Sequence, residues 1–147
     1  ALSDFERPLN ERGKKAVPKI ANELIKLDLI PDLIISSTAE RAKSTAEIII
    51  KNISYGNEII YVDKFYSGLF VEMIKIIQNI SDNVKNLMII GHNPTWEKLI
   101  TFLSKKEIFV EMPTAAVAIM TSEINSWKHF AEKLFTLKNI IRPKELK

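Results

Sequence analysis

Apolar positions recur at helical spacing early in the chain: Val17, Ile20, Ala21, Leu24 and Leu27 share one face. That spacing predicts a helix over Val17–Leu27 with Pro18 in its first turn, after an irregular polar stretch, Ala1–Glu11. A turn at Asp28–Asp32 leads to a short apolar strand, Leu33–Ser37. A second helix is expected over Ala39–Lys51 with Thr38 as N-cap. Glu58–Val62 reads as a strand. Leu69–Ile80 reads as a helix with Met73, Ile76, Ile77 and Ile80 on one side. Asn86–Gly91 is continuously apolar before its glycine, the pattern of a central strand covered on both faces. Pro94 then opens a helix to Ser104, capped by Asn93, and Thr114–Thr121 and Lys133–Leu137 read as two late strands.

Alternating strands and helices predict an α/β fold with a mainly parallel central sheet and helices on both faces. Such sheets bind ligands beyond the carboxyl ends of their strands. Two strand ends here turn polar and run straight into a helix: Ser36-Ser37-Thr38-Ala39-Glu40-Arg41 and Gly91-His92-Asn93-Pro94-Thr95.

The chain has 147 residues, the size of one domain, and residues 1–147 are expected to form a single unit. It contains no cysteine, which excludes disulfides, thiolate catalysis and iron–sulfur clusters, and its two histidines cannot build a three-histidine zinc site. No apolar run approaches the ~20 residues of a membrane span. Glycine occurs four times, and the phosphate-loop and dinucleotide glycine patterns are absent. The basic character is local. Residues 128–147 carry six Lys/Arg and two acids, whereas residues 1–127 carry 15 bases and 16 acids. A solvated basic tail accounts for that, so neither nucleic acid nor membrane is expected as a partner.

Arg41 falls in the first turn of a predicted helix, where a cation opposes the helix dipole. A bound phosphate would remove that penalty and accept a bidentate fork from the guanidinium. The alternative is a surface arginine paired with Glu40 or Glu47. His92 stands at a strand's carboxyl end, where an imidazole can give or take a proton near neutral pH. The alternative is a histidine that only caps the next helix. His129, among Trp127, Lys128 and Phe130, reads as a structural residue.

The segment Leu2-Ser3-Asp4-Phe5-Glu6-Arg7-Pro8-Leu9-Asn10-Glu11-Arg12-Gly13 resembles the stretch that follows the nucleophile in the SixA group of phosphohistidine phosphatases. That group is part of the histidine phosphatase superfamily, with the phosphoglycerate mutase-like fold. Ser36-Ser37-Thr38-Ala39-Glu40-Arg41-Ala42-Lys43-Ser44-Thr45-Ala46 is similar to its second motif, Gly91-His92-Asn93-Pro94-Thr95 to its third, and Pro113-Thr114-Ala115-Ala116 to a late strand segment. The order and spacing agree along nearly all of the chain.

The resemblance implies metal-free, cofactor-free covalent catalysis. A nucleophilic histidine takes the phosphoryl group and water removes it. Arg41 would be the phosphate clamp and His92 the second active-site histidine. Arg7 is a further candidate for reaching the phosphate. The general-acid glutamate of the broader mutases has no convincing counterpart, and Glu72 is a poor candidate. The family's first motif, Arg-His-Gly or Arg-His-Ala at the end of a first strand, is not in the chain. The expectation is that residues ahead of Ala1 carry that strand and the nucleophile. The alternative is a truncated or degenerate relative.

The expected activity is therefore removal of phosphate from phosphohistidine on a signalling or phosphocarrier protein, or from a small phosphoester, in the cytoplasm. The alternative is a non-catalytic module that binds phosphate or a phosphoprotein and lacks the nucleophile.

Overall fold

A computed structural model describes residues 2–147. The first helix, α1, spans Glu11–Lys26 and starts six residues before the predicted boundary. Asn10 caps it, its side-chain oxygen accepting the Gly13 N–H at 2.9 Å. Gly13 fits because Leu9 lies against it; a Cβ there would come within 2.5 Å of the Leu9 side chain. Pro18 is thus inside α1 rather than in its first turn. The exit is a Schellman turn: Asp28 at φ 55° donates to the Ile25 carbonyl, and Leu29 donates to Leu24 at 2.8 Å. Val17, Ile20, Ala21 and Leu24 are all buried. Removing each branched apolar side chain from water contributes about 1.5–3 kcal/mol.

Strand β1 (Leu33–Ser37) matches its predicted span. It pairs in parallel with β2 (Ile59–Val62) on one side and β3 (Leu87–Ile90) on the other, giving the order β2-β1-β3. Asp32 joins the strand entries, its carboxylate accepting the Lys85 and Asn86 N–H groups at 2.8 Å each. Alternation along β1 sends Ile34 to one face, with Val17, Ala21 and Ile49, and Ile35 to the other, with Phe65, Met73 and Ile77. Helix α2 (Glu40–Asn52) follows β1 and packs with α1; α4 (Phe70–Gln78) and α5 (Thr95–Leu103) cover the opposite face.

The architecture is the expected α/β type, with three differences in detail. Phe65 and Tyr66 sit in a separate short helix, α3 (Lys64–Ser67), ahead of α4. The last two strands, β4 (Val117–Ser122) and β5 (Phe135–Ile141), form their own antiparallel pair. The central strand is β1, whereas β3 lies at the end of the three-stranded sheet and its residues are only partly buried.

An apolar cleft of about 910 Å³ lies between β3 and β4, lined by Ile20, Leu24, Met88, Ile90, Val117 and Ile119. Arg41, Gly91 and His92 also line it.

Candidate functional site

Because β1 and β3 are parallel neighbours, their carboxyl ends meet at one edge of the sheet. α2 opens after one and α5 after the other. The two polar segments singled out in the sequence are therefore brought together.

The helix caps differ from the expected ones. Thr38 does not cap α2. Ala39 is the N-cap residue, and its N–H donates to Ser37 Oγ at 3.2 Å. The next N–H, that of Glu40, donates to the Phe5 carbonyl at 3.0 Å, which docks the N-terminal loop on the start of α2. Asn93 does not cap α5 either: Pro94 is the N-cap residue, and the Asn93 amide donates to the Met112 carbonyl at 2.7 Å. Two buried polar atoms beside these turns, Thr38 Oγ1 and Trp96 Nε1, have no hydrogen-bond partner among the described residues. Buried polar groups are almost always paired, so these two are exceptions to the rule.

Arg41 is half-buried and pairs with neither Glu40 nor Glu47. Its partner is Asp4, 37 residues away. Arg41 Nη1 donates to the Asp4 carbonyl at 2.8 Å and lies 3.3 Å from Asp4 Oδ1; Nη2 donates to Oδ2 at 3.3 Å. The Tyr66 hydroxyl donates to the same Oδ2 at 2.8 Å. That hydroxyl bond first, then the guanidinium, hold the Asp4 carboxyl below its ordinary value, and the same bond pushes the Tyr66 phenol up.

Tyr66 also joins Asp4 to His92. Its ring meets the imidazole edge-on with centroids 5.3 Å apart, and Phe5 stands edge-on to Tyr66 at 5.0 Å. His92 is half-buried, with Nε2 2.8 Å from Ser37 Oγ. Burial, and secondarily the Arg41 cation, push its pKa below 6.5, and Asp4 pulls the other way. Gly91 allows the close passage of Trp96 beside this turn: a Cβ would lie 2.4 Å from the indole.

Arg7 is exposed on the N-terminal loop, close enough for its charge to act on Asp4, and its N–H donates to the Asp4 carbonyl at 3.3 Å. His129 lies elsewhere. It ends the 3-10 turn Trp127–His129, which Asp82 anchors at the amino end of β3, opposite to His92. Glu72 is occupied at the start of α4, where it pairs with Lys64 and accepts the Leu69 N–H at 2.8 Å. Asp4 and Tyr66 are the residues that sequence reasoning did not single out. The arrangement can receive an anion: a guanidinium and an imidazole lie together where two helices begin.

No protein-family model matches the chain. An uncharacterized chloroplastic protein of Arabidopsis thaliana is 28% identical over 137 residues, covering 87% of this chain. The chain spans 62% of that relative's length. Among solved structures, a protein assigned as the phosphohistidine phosphatase SixA of Agrobacterium tumefaciens superposes with a TM-score of 0.80 at 26% identity. The match covers 97% of this chain and 88% of that one. The protein histidine phosphatase SixA complexed with tungstate superposes with a TM-score of 0.85 at 20% identity, covering 98% and 89%.

Proposed function

The chain has the phosphoglycerate mutase-like fold of the SixA-type histidine phosphatases, and from that premise we propose that it acts as a phosphatase on phosphohistidine carried by a signalling or phosphocarrier protein. The observation that carries the reading is the meeting of Arg41 and His92 at the carboxyl ends of two adjacent parallel strands, around a shared cleft.

In this reading Arg41 is the clamp. Its guanidinium exchanges the Asp4 carboxylate for two oxygens of the phosphoryl group, keeping a forked geometry while the charge partner changes. His92 donates a hydrogen bond to a third oxygen and offsets the charge that develops there. Arg7, exposed on the neighbouring loop, supplies a second cation to the same dianion.

The nucleophile is a histidine of the Arg-His motif that precedes the Leu2–Gly13 segment in the family. Its imidazole nitrogen attacks phosphorus as the substrate's P–N bond breaks, and the leaving imidazole nitrogen takes a proton from solvent water. Water then cleaves the new P–N bond and releases inorganic phosphate. Neither histidine of this chain fills that role, because His92 is engaged by Ser37 and His129 lies at the far end of the sheet.

The test is to incubate the protein with a 32P-labelled phosphohistidine peptide, quench in base and look for label on the protein. A base-stable, acid-labile phosphoenzyme together with phosphate release supports the reading. Tight anion binding with neither label nor release would favour a non-catalytic phosphate-binding module.

A further inference from the structure

Ser37 is fully buried at the end of β1, and its hydroxyl has two neighbours. Its oxygen accepts the Ala39 N–H at 3.2 Å and lies 2.8 Å from His92 Nε2. A serine hydroxyl has one hydrogen to give and two lone pairs to accept with. If Nε2 carried a proton it would donate to Ser37 Oγ. The serine hydrogen would then have no acceptor among the described residues, in a position closed to solvent. If Nε2 is bare, Ser37 donates to it, Ala39 donates to Ser37, and all three groups are paired. A buried donor left unpaired bears its full desolvation penalty, so the second arrangement wins.

The geometry points to Ser37 as a positioning residue that holds His92 in the neutral Nδ1–H tautomer. Nδ1–H is then the hydrogen-bond donor offered to an anionic ligand oxygen. The role of that donor toward phosphate rests on the phosphatase reading above; the tautomer itself does not. Nδ1 has no protein partner among the described residues, which agrees with its being the nitrogen free for a ligand.

The surroundings act in the same direction. The imidazole faces Arg41 from α2, Asp4 from the N-terminal loop and the Tyr66 ring from α3. Burial and the guanidinium disfavour a second proton on the ring, with the Asp4 carboxylate opposing them. The site then has a division of labour: Arg41 supplies the positive charge, and His92 supplies a directed donor without charge. Ser37 is the part that fixes the direction.

Long-range 1H–15N spectra of the uniformly labelled protein, without anion and near neutral pH, read the tautomer directly. The expected result is an unprotonated Nε2 and a protonated Nδ1 for His92. Ser37→Ala should move the ring toward the Nε2–H form or an averaged mixture, and Ser37→Thr, which keeps the hydroxyl, should restore the wild-type pattern. Tungstate affinity should fall roughly three- to tenfold in Ser37→Ala and recover in Ser37→Thr, the loss of about one hydrogen bond. A protonated Nε2 in the wild-type protein, or a tautomer unchanged in a folded Ser37→Ala variant, overturns the proposal. If Ser37→Ala does not fold, the wild-type spectrum alone decides. A wild-type Nδ1–H ring in a protein that releases no phosphate would count against the phosphatase reading and leave this one standing.

Discussion

Asp4 grips Arg41 at both ends of its own residue: the carbonyl takes Nη1 at 2.8 Å and the carboxylate takes Nη2 at 3.3 Å. The arginine proposed as the phosphate clamp is thus already oriented, with its fork filled by the Asp4 residue. The pair is partly exposed, so salt screens it and its loss should change stability little. Asp4→Asn keeps the carbonyl contact and removes the competing charge. Affinity for inorganic phosphate should rise about three- to tenfold by isothermal titration, consistent with the modest coupling of a partly exposed pair. Unchanged or weaker binding would mean that Asp4 only positions the guanidinium and does not compete.

Arg41→Ala should lower kcat/KM on a phosphohistidine peptide by about 10²–10³, the usual cost of removing one donor to developing negative charge, or ~2.7–4 kcal/mol. Arg41→Lys should recover only part, since an ammonium supplies the charge without the fork. Steady-state rates for the three proteins decide this. Wild-type values for Arg41→Ala would make Arg41 a surface residue.

His92 links the site to pH. Its folded pKa lies below 6.5, so between the folded value and 6.5 the unfolded chain binds more protons than the folded one. The stability that His92 contributes is therefore complete above 6.5 and is lost as pH falls through the folded pKa. Thermal denaturation across that range should show Tm dropping on acidification, and His92→Gln should flatten the drop. Asp4, Glu72 and Asp82, whose carboxyls are held below their ordinary values, contribute a separate loss only at more acidic pH, as they protonate through their folded values. An identical slope in His92→Gln would show that the ring titrates as freely in the folded protein as in the unfolded one.

Much of the fold was legible because its signals are local. Leu33–Ser37 is a short apolar run ending in serines, and the strand has those bounds. The early start of α1 was hidden because its first turn, Glu11-Arg12-Gly13-Lys14, carries no apolar stripe. It is held by Asn10 and by Leu9 packing on Gly13. Arg41 and His92 could be paired from sequence because parallel strands carry their following loops to one edge. Asp4 and Tyr66 could not: Tyr66 sits on a four-residue helix too short to show a period, and Asp4 reaches Arg41 across 37 residues. The antiparallel β4–β5 pair shows the same limit, since pairing partners depend on register and not on the pattern within either strand.

Metal dependence offers a separate check on the covalent route. The described residues contain no cluster of three or more His, Asp and Glu side chains able to hold a metal ion. Phosphate release should survive dialysis against EDTA at the untreated rate. Activity lost on chelation and restored by a divalent cation would replace histidine chemistry with metal-assisted hydrolysis.

Gly91→Ala probes the turn that presents His92. The added methyl would meet the Trp96 indole, so the turn or the ring must shift. Overpacking of this kind typically costs about 1–3 kcal/mol, and denaturant titration should register a loss of that order together with weaker anion binding. Full stability with unaltered binding would show that Trp96 moves aside freely.

The position of a bound tungstate tests the central claim most directly, since the ion copies the phosphoryl group in size and charge. A crystal structure of the protein soaked with tungstate should show the anion at the carboxyl ends of β1 and β3, with the Arg41 guanidinium turned from Asp4 onto two of its oxygens and the His92 ring within hydrogen-bond distance of a third. An anion bound away from both residues, with Arg41 still closed on Asp4, would contradict the account.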